Sequence, residues 1–247
     1  MNWRCLSSAL AVTLPAILAA QQPTPERASF YLLRHGDTLF DERSARTPTE
    51  LSGELRDRQG GGRIAYTAAL IDAALVSRID MRTYRAGGDT AGARASFVIG
   101  GDSLVAQIGG AEPVHLPSVT GALAIVNPSV AFMEQMVRRA RSLGRDSVSL
   151  VVFVLGAPQP IAAVVRRVGA DSVQLDYASV SVHLAVSADG RVLGGAVPAQ
   201  DITITRGPAG PPPTVSPPGD SARRDRNFAF FRGSAGVFQR ENRHAAP

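Results

Sequence analysis

Lysine is absent: all 26 cationic residues of this 247-residue chain are arginine. Cysteine occurs once, at Cys5, tryptophan once, at Trp3, and histidine four times. Each scarcity removes a class of protein. A single cysteine excludes an intrachain disulfide framework and a cysteine-based zinc site. The histidines at 35, 115, 183 and 244 show no paired ligand spacing, so no metal centre is expected. Gly60-Gly61-Gly62 lacks the lysine of a phosphate loop and reads as a hairpin turn, and no cofactor motif is present elsewhere. Beyond residue 20, no stretch approaches the roughly 20 apolar residues of a membrane-spanning helix. What remains is a chain with 45% hydrophobic and 19% charged residues, ample for a packed core.

The first twenty residues read as a secretory signal. Met1-Asn2-Trp3-Arg4 is a short positive start, Leu6 to Ala20 is uncharged and mostly apolar, and Leu18-Ala19-Ala20 supplies the small residues of a cleavage site. No cysteine follows them, so no lipid attachment is expected. The expected location is therefore periplasmic or extracellular. An exported domain without disulfides relies on its core, which favours a sizeable sheet.

Charge is distributed unevenly. The formal net charge is +5, of which Arg4 leaves with the leader and +3 sits in residues 207–247; residues 21–206 retain +1. A near-neutral body lacks the electrostatic footprint of a nucleic-acid binder, so no nucleic-acid partner is expected.

Between residues 21 and 206 the chain shows the period-two alternation of half-buried strands. Val180, Val182, Leu184 and Val186 fall on one face and Ser181, His183 and Ala185 on the other. Further strands are expected at 29–35, 39–46, 50–58, 63–70, 75–84, 94–99, 103–108, 147–155, 161–168, 172–177, 191–197 and 202–205, with a loop from Gly109 to Ser118. Short strands at about 10-residue spacing imply an antiparallel meander. One helix interrupts them, at about 128–143. Val130, Met133, Val137 and Ala140 are at helical spacing, Asn127 suits the N-cap, Pro128 the first turn, and Gly144 the terminator. From Gly207 the composition changes to a Pro-rich linker, followed by Phe228, Phe230, Phe231 and Phe238 interleaved with arginine; this tail is expected to be disordered and able to meet an anionic membrane surface or a partner. The expected fold class is mainly β: an antiparallel curved sheet or half-barrel with one central helix and a disordered tail.

Asp followed by Ser or Thr occurs at 37, 89, 102, 146, 171 and 220, and four of these pairs precede a Leu or Val that opens a strand. An Asp side chain accepts a backbone N–H two residues on, so the pattern is turn punctuation. It bears on two motifs. Leu33-Arg34-His35-Gly36-Asp37-Thr38 resembles the Arg-His-Gly signature of histidine phosphatases. That resemblance implies His35 as phosphoryl acceptor and Arg34 as a phosphate clamp, since a nucleophilic imidazole needs cations around the transferring group. The family's later Arg-Ala-x-x-Thr-Ala helix is not matched, because Arg85-Ala86-Gly87-Gly88-Asp89-Thr90-Ala91 is one residue too long and carries two glycines. Gly101-Asp102-Ser103-Leu104 resembles the signature of GDSL esterases, but no Asp-x-x-His accompanies it, and a serine without a positioned base is not activated. The turn reading is preferred for both, leaving no catalytic residue assigned.

Over about residues 29–206 the pattern resembles exported bacterial curved-sheet proteins of the LolA/LolB type, in architecture alone. The resemblance implies an envelope protein without enzymatic activity, with a lipid, another apolar ligand or an envelope protein as partner, and acyl chains held in the concave face. A phosphoryl hydrolase using His35 and an interaction protein acting through its tail are the alternatives.

Overall fold

Runs of β-favouring residues between turn signals give fifteen strands and one α-helix among the described residues. These are 24–72, 74–88, 91–154 and 159–211 of a computed structural model; the leader and the tail beyond 211 lie outside them. The first half is a meander. Strands β1 (Glu26–Arg34), β2 (Asp37–Arg46), β3 (Glu50–Asp57), β4 (Arg63–Ile71), β5 (Leu75–Tyr84), β6 (Ala91–Ile99), β7 (Ser103–Ile108) and β8 (Val114–Pro117) each pair antiparallel with the next. Then come β9 (Leu123–Ile125) and the helix α1 (Val130–Ser142). A second meander follows: β10 (Ser147–Val154), β11 (Ile161–Arg167), β12 (Ser172–Tyr177), β13 (Val180–Val186), β14 (Val192–Val197) and β15 (Ile202–Gly207).

The two meanders join in one sheet because β15 returns to pair with β1, Leu32 lying opposite Ile204. Its edges are β8 and β9, and the sheet is open. β9 pairs in parallel with β10, Leu123 opposite Val152, and α1 is the crossover that a parallel pair requires. β9 also packs against β5 and β6, so the sheet curls around α1. The fold is the mainly β curved sheet with one central helix that the alternation predicts.

Four Asp-Ser/Thr pairs do open strands: β2 begins at Asp37, β7 at Ser103, β10 at Ser147 and β12 at Ser172. Asp89-Thr90 and Asp220-Ser221 fall outside the described residues. Three expectations are corrected. The segment 109–118 is not all loop, since it contains β8, an edge strand with Val114, His115 and Pro117 exposed. β9 was not expected. Leu123, Ala124 and Ile125 are all buried, and a strand buried on both faces has no alternation to reveal it. The helix begins at Val130 rather than 128, and its N-cap is Ser129, whose hydroxyl accepts from the Phe132 N–H over 3.2 Å. Asn127 instead accepts from the Tyr177 hydroxyl, at 2.8 Å.

The core lies between α1 and the concave face of the sheet. Residues Val130–Val137 are buried without exception, so the first two turns are enclosed rather than amphipathic. Phe132, Met133 and Met136 are essentially unexposed, and the Phe132 ring lies 5.1 Å from that of Tyr66 on β4. Each such side chain contributes about 1.5–3 kcal/mol of burial.

Candidate functional site

Arg34 and His35, the residues of the phosphatase-like motif, sit at a hairpin. β1 and β2 pair directly through Arg34 and Asp37, and His35 and Gly36 form the two-residue turn with φ of 53° and 91°. Two successive positive φ values are the signature of a type I′ hairpin turn. His35 is exposed, and the Arg34 Nε donates to the Gln200 carbonyl over 3.1 Å. This is a strand–turn–strand, without the following helix that the phosphatase signature requires. Ser103 begins β7, and the preceding turn is closed by the Gly100 N–H on its own carbonyl, at 2.7 Å. His183 is exposed on β13. Among the described residues no three His, Cys, Asp or Glu side chains are grouped for a metal ion.

Two other clusters are assembled by the fold. The first is interior. Glu42 on β2 faces α1 and is fully buried. Its Oε2 accepts from the backbone N–H groups of Val130 and Ala131 at 2.7 and 3.1 Å; its Oε1 accepts from the Tyr66 hydroxyl at 2.6 Å and from the Ser129 hydroxyl. Helix N-termini present unpaired N–H groups and a partial positive charge, so a carboxylate fits here. Burial nevertheless pushes the Glu42 carboxyl above its ordinary value, with the four hydrogen bonds opposing the shift. Burial, reinforced by Glu42, pushes the Tyr66 hydroxyl up as well. Two residues along β2's chain direction from Ser44, Arg46 donates to the Gln135 side chain, and Gln135 Nε2 donates to the Ala74 carbonyl at 2.5 Å. Burial, more than the nearby Arg138, lowers the Arg46 guanidinium to about 10. Further along α1, Glu134 accepts from the Val192 N–H at 2.9 Å and from Arg138 and Arg206 at 2.9 and 3.2 Å. Arg138 and Arg191 also hold Glu26, at the start of β1. These contacts fix the helix inside the sheet. With Glu42 at 0% exposure, no substrate reaches its carboxylate, so the cluster is a structural clamp.

The second cluster lies on the opposite, outer face of β2–β7. Antiparallel register places residues of different strands side by side there. One row runs Arg43, Glu54, Ala65, Arg82, Arg94. On one side of it runs Asp41, Arg56, Arg63, Tyr84. On the other runs Thr67, Asp80, Ser96, Gln107. Glu54, only 4% exposed, accepts from Arg56 Nε at 2.5 Å and Arg63 Nη1 at 3.0 Å, and the Arg63 guanidinium lies 4.0 Å from the centre of the Tyr84 ring. Between β4 and β7 the face sinks into an open groove of about 420 Å³ lined by Ala65, Thr67, Ser96, Gln107 and the arginines 78, 82 and 94. That volume is within the range of small-ligand sites, about 300–1,000 Å³. Arg78 binds Asp80 through two hydrogen bonds of 2.6 and 2.9 Å, which hold its guanidinium pKa up. Asp80 is the acidic residue of the groove against three arginines.

The net charge of the body conceals this clustering, because the arginines come from five strands. The signal available in the sequence is symmetry about a turn: Arg82 and Arg94 are equidistant from Gly88, and Arg56 and Arg63 flank the Gly60-Gly61-Gly62 turn.

No family model matches the chain, and no curated protein matches its sequence. Two solved structures are similar to it. One is a DUF1089 family protein from Pseudomonas aeruginosa, with a TM-score of 0.50 and 16% identity, covering 65% of this chain and 90% of that one. The other is a β-barrel-like protein of domain of unknown function DUF1849 from Brucella abortus, with a TM-score of 0.46 and 10% identity, covering 75% and 95%. The first likeness shows the fold alone, in agreement with a curved β sheet, and no residue role is taken from either structure.

Proposed function

We propose that the chain is an exported, non-enzymatic binding protein of the bacterial envelope whose ligand is an amphiphile with an anionic headgroup, held in the outer groove of β4–β7. The groove carries the proposal: its lining combines the arginines 78, 82 and 94 with the uncharged Ala65, Thr67, Ser96 and Gln107, a mixture suited to an amphiphile with an anionic end. Export rests on the leader at 1–20. The placement departs from that of LolA/LolB-type carriers, because α1 fills the concave face with Phe132, Met133 and Met136. The tail, outside the described residues, carries six arginines against three acids in 207–247, a charge that suits contact with an anionic membrane.

The test is native mass spectrometry of the full chain, expressed with its leader in a bacterial host and recovered from the periplasm. Ions carrying lipid mass are expected. A lipid-free protein that also fails to bind dodecyl phosphate, dodecanoate and dodecyl maltoside overturns the proposal, and retention in the cytoplasm overturns the export it assumes.

A further inference from the structure

On the outer face of β11–β13 the sheet holds a carboxylate of its own with three kinds of donor. Asp176 Oδ2 accepts from Arg166 Nη1 at 2.7 Å, and its Oδ1 accepts from Gln174 Nε2 at 2.9 Å and from the Ser181 hydroxyl at 2.7 Å. The Gln174 and Ser181 bonds hold the Asp176 carboxyl below the usual carboxylate range. Register brings this guanidinium, amide and hydroxyl together from three adjacent strands. The groove of β4–β7 gathers the same donor types: Arg82, Gln107 and the hydroxyls of Thr67 and Ser96. Thr67 and Ser96 lie opposite Asp80, two residues from Arg82 on β5, and Gln107 lies opposite Ser96. Diagonal neighbours of this kind are about 7–8 Å apart, within reach of a long side chain. What differs is the acceptor. Asp80 is turned to Arg78, which occupies both of its oxygens. Arg94 is engaged in an interaction of its own. Among the described residues nothing accepts a hydrogen bond from Arg82, Thr67, Ser96 or Gln107 through their side chains, and Arg82 is half-buried.

We infer that Arg82, with Thr67, Ser96 and Gln107, forms a carboxylate-binding site, so that the ligand of the groove is an alkyl carboxylate; the inference rests on the amphiphile reading above. The ligand supplies to Arg82 what Asp176 supplies to Arg166. A guanidinium is a planar fork that binds both oxygens of one carboxylate. A carboxylate offers about four lone-pair sites, so hydroxyl and amide donors take those that the fork leaves. Charge points to the same class. Of the three arginines that line the groove, Arg82 is the one without a partner, and one guanidinium matches one negative charge. A phosphate monoester carries about 1.5–2 negative charges at neutral pH, and the excess would face Asp80 with no unpartnered cation of the groove to meet it.

Isothermal titration of the exported chain at neutral pH with four probes tests this: dodecanoate, dodecyl phosphate, dodecyl maltoside and acetate, the alkyl probes below their micelle concentrations. Dodecanoate is expected to bind at least as tightly as dodecyl phosphate, and about tenfold more tightly than uncharged dodecyl maltoside, the difference made by one charge-assisted hydrogen bond. This ranking is read on the wild type, so it holds whether or not a variant folds. Arg82→Gln should weaken dodecanoate about tenfold and leave dodecyl maltoside unchanged. Arg167→Gln, which removes an exposed arginine on the far half of the sheet, should change neither. Dodecyl phosphate binding more tightly than dodecanoate, dodecanoate binding no more tightly than dodecyl maltoside, or undiminished dodecanoate binding by Arg82→Gln overturns the carboxylate site and leaves the amphiphile reading standing. Acetate binding as tightly as dodecanoate keeps the carboxylate site and overturns the amphiphile reading. Failure of all four probes overturns both.

Discussion

The Tyr66 hydroxyl donates to the Glu42 carboxylate over 2.6 Å in space that exists because residue 53 is glycine. Gly53 stands opposite Tyr66 in the β3–β4 ladder, and a Cβ built there would overlap the tyrosine ring and hydroxyl. The ring in turn packs on Phe132, and the carboxylate caps α1. Gly53, Tyr66, Glu42 and the helix therefore form one chain of dependence from a meander strand to the core.

Gly53→Ala is expected to destabilise the protein by about 1–3 kcal/mol, the usual cost of overpacking a core. The Tyr66 ring is the obstruction, so Tyr66→Leu in the same chain should recover part of that loss. Urea unfolding of both variants measures it. An alanine at 53 that costs nothing would show that the ring moves freely, contrary to its packing between Gly53 and Phe132.

Removing the hydroxyl alone, in Tyr66→Phe, leaves a buried carboxylate with one donor fewer. The expected cost is about 1–3 kcal/mol. Preserved stability together with unchanged helix content would mean that the Ser129 and backbone donors suffice for Glu42.

Glu42 also predicts a pH dependence. Burial raises its pKa in the folded state, so between the unfolded and folded pKa values the folded chain binds more protons than the unfolded one. Its contribution is fully present below the unfolded value and declines as pH rises through the folded one. The stability difference between the wild type and Glu42→Gln should therefore shrink as pH rises from below about 4.3, the ordinary glutamate value. Unfolding curves of both proteins across that range give the answer. A difference that does not change with pH would place the Glu42 pKa at the same value in both states.

At the other end of the clamp, Glu134→Ala removes the acceptor for the Val192 N–H and one partner of both Arg138 and Arg206. Glu26 remains near both arginines, so the expected cost is about 2–3 kcal/mol, below the full penalty of breaking a buried pair. Denaturant unfolding checks the size. Glu26→Ala, at a more exposed carboxylate, should cost less.

The strands were legible wherever one face is buried and the other wet. Val180, Val182, Leu184 and Val186 point into the core, while His183 and Ala185 are exposed. β9 was not legible, because burial on both faces erases alternation and its parallel pairing is long-range. The N-cap shifted from Asn127 to Ser129 because capping depends on which hydroxyl reaches the N–H groups, and that is decided by Glu42, far away in sequence. Glu42, Ser44 and Arg46 alternate like a solvent face in the sequence, yet they face a helix that supplies polar partners. The arginine groove was hidden for a different reason. Net charge is a sum over the chain, and only register reveals that Arg82 and Arg94 are neighbours.

The His35–Gly36 turn yields a prediction that separates turn chemistry from phosphatase chemistry. His35 adopts φ of 53°, a conformation that asparagine tolerates better than most residues. His35→Asn should therefore stabilise the hairpin by a few tenths of a kcal/mol, up to about 1. If His35 served as a phosphoryl acceptor, the same substitution would abolish release of p-nitrophenol from p-nitrophenyl phosphate. The expected result is equal, near-zero release from the wild type, His35→Asn and His35→Ala, with a small rise in unfolding midpoint for His35→Asn alone. Turnover by the wild type that disappears in both variants would overturn the turn reading and bring Arg34 and His35 back as catalytic residues.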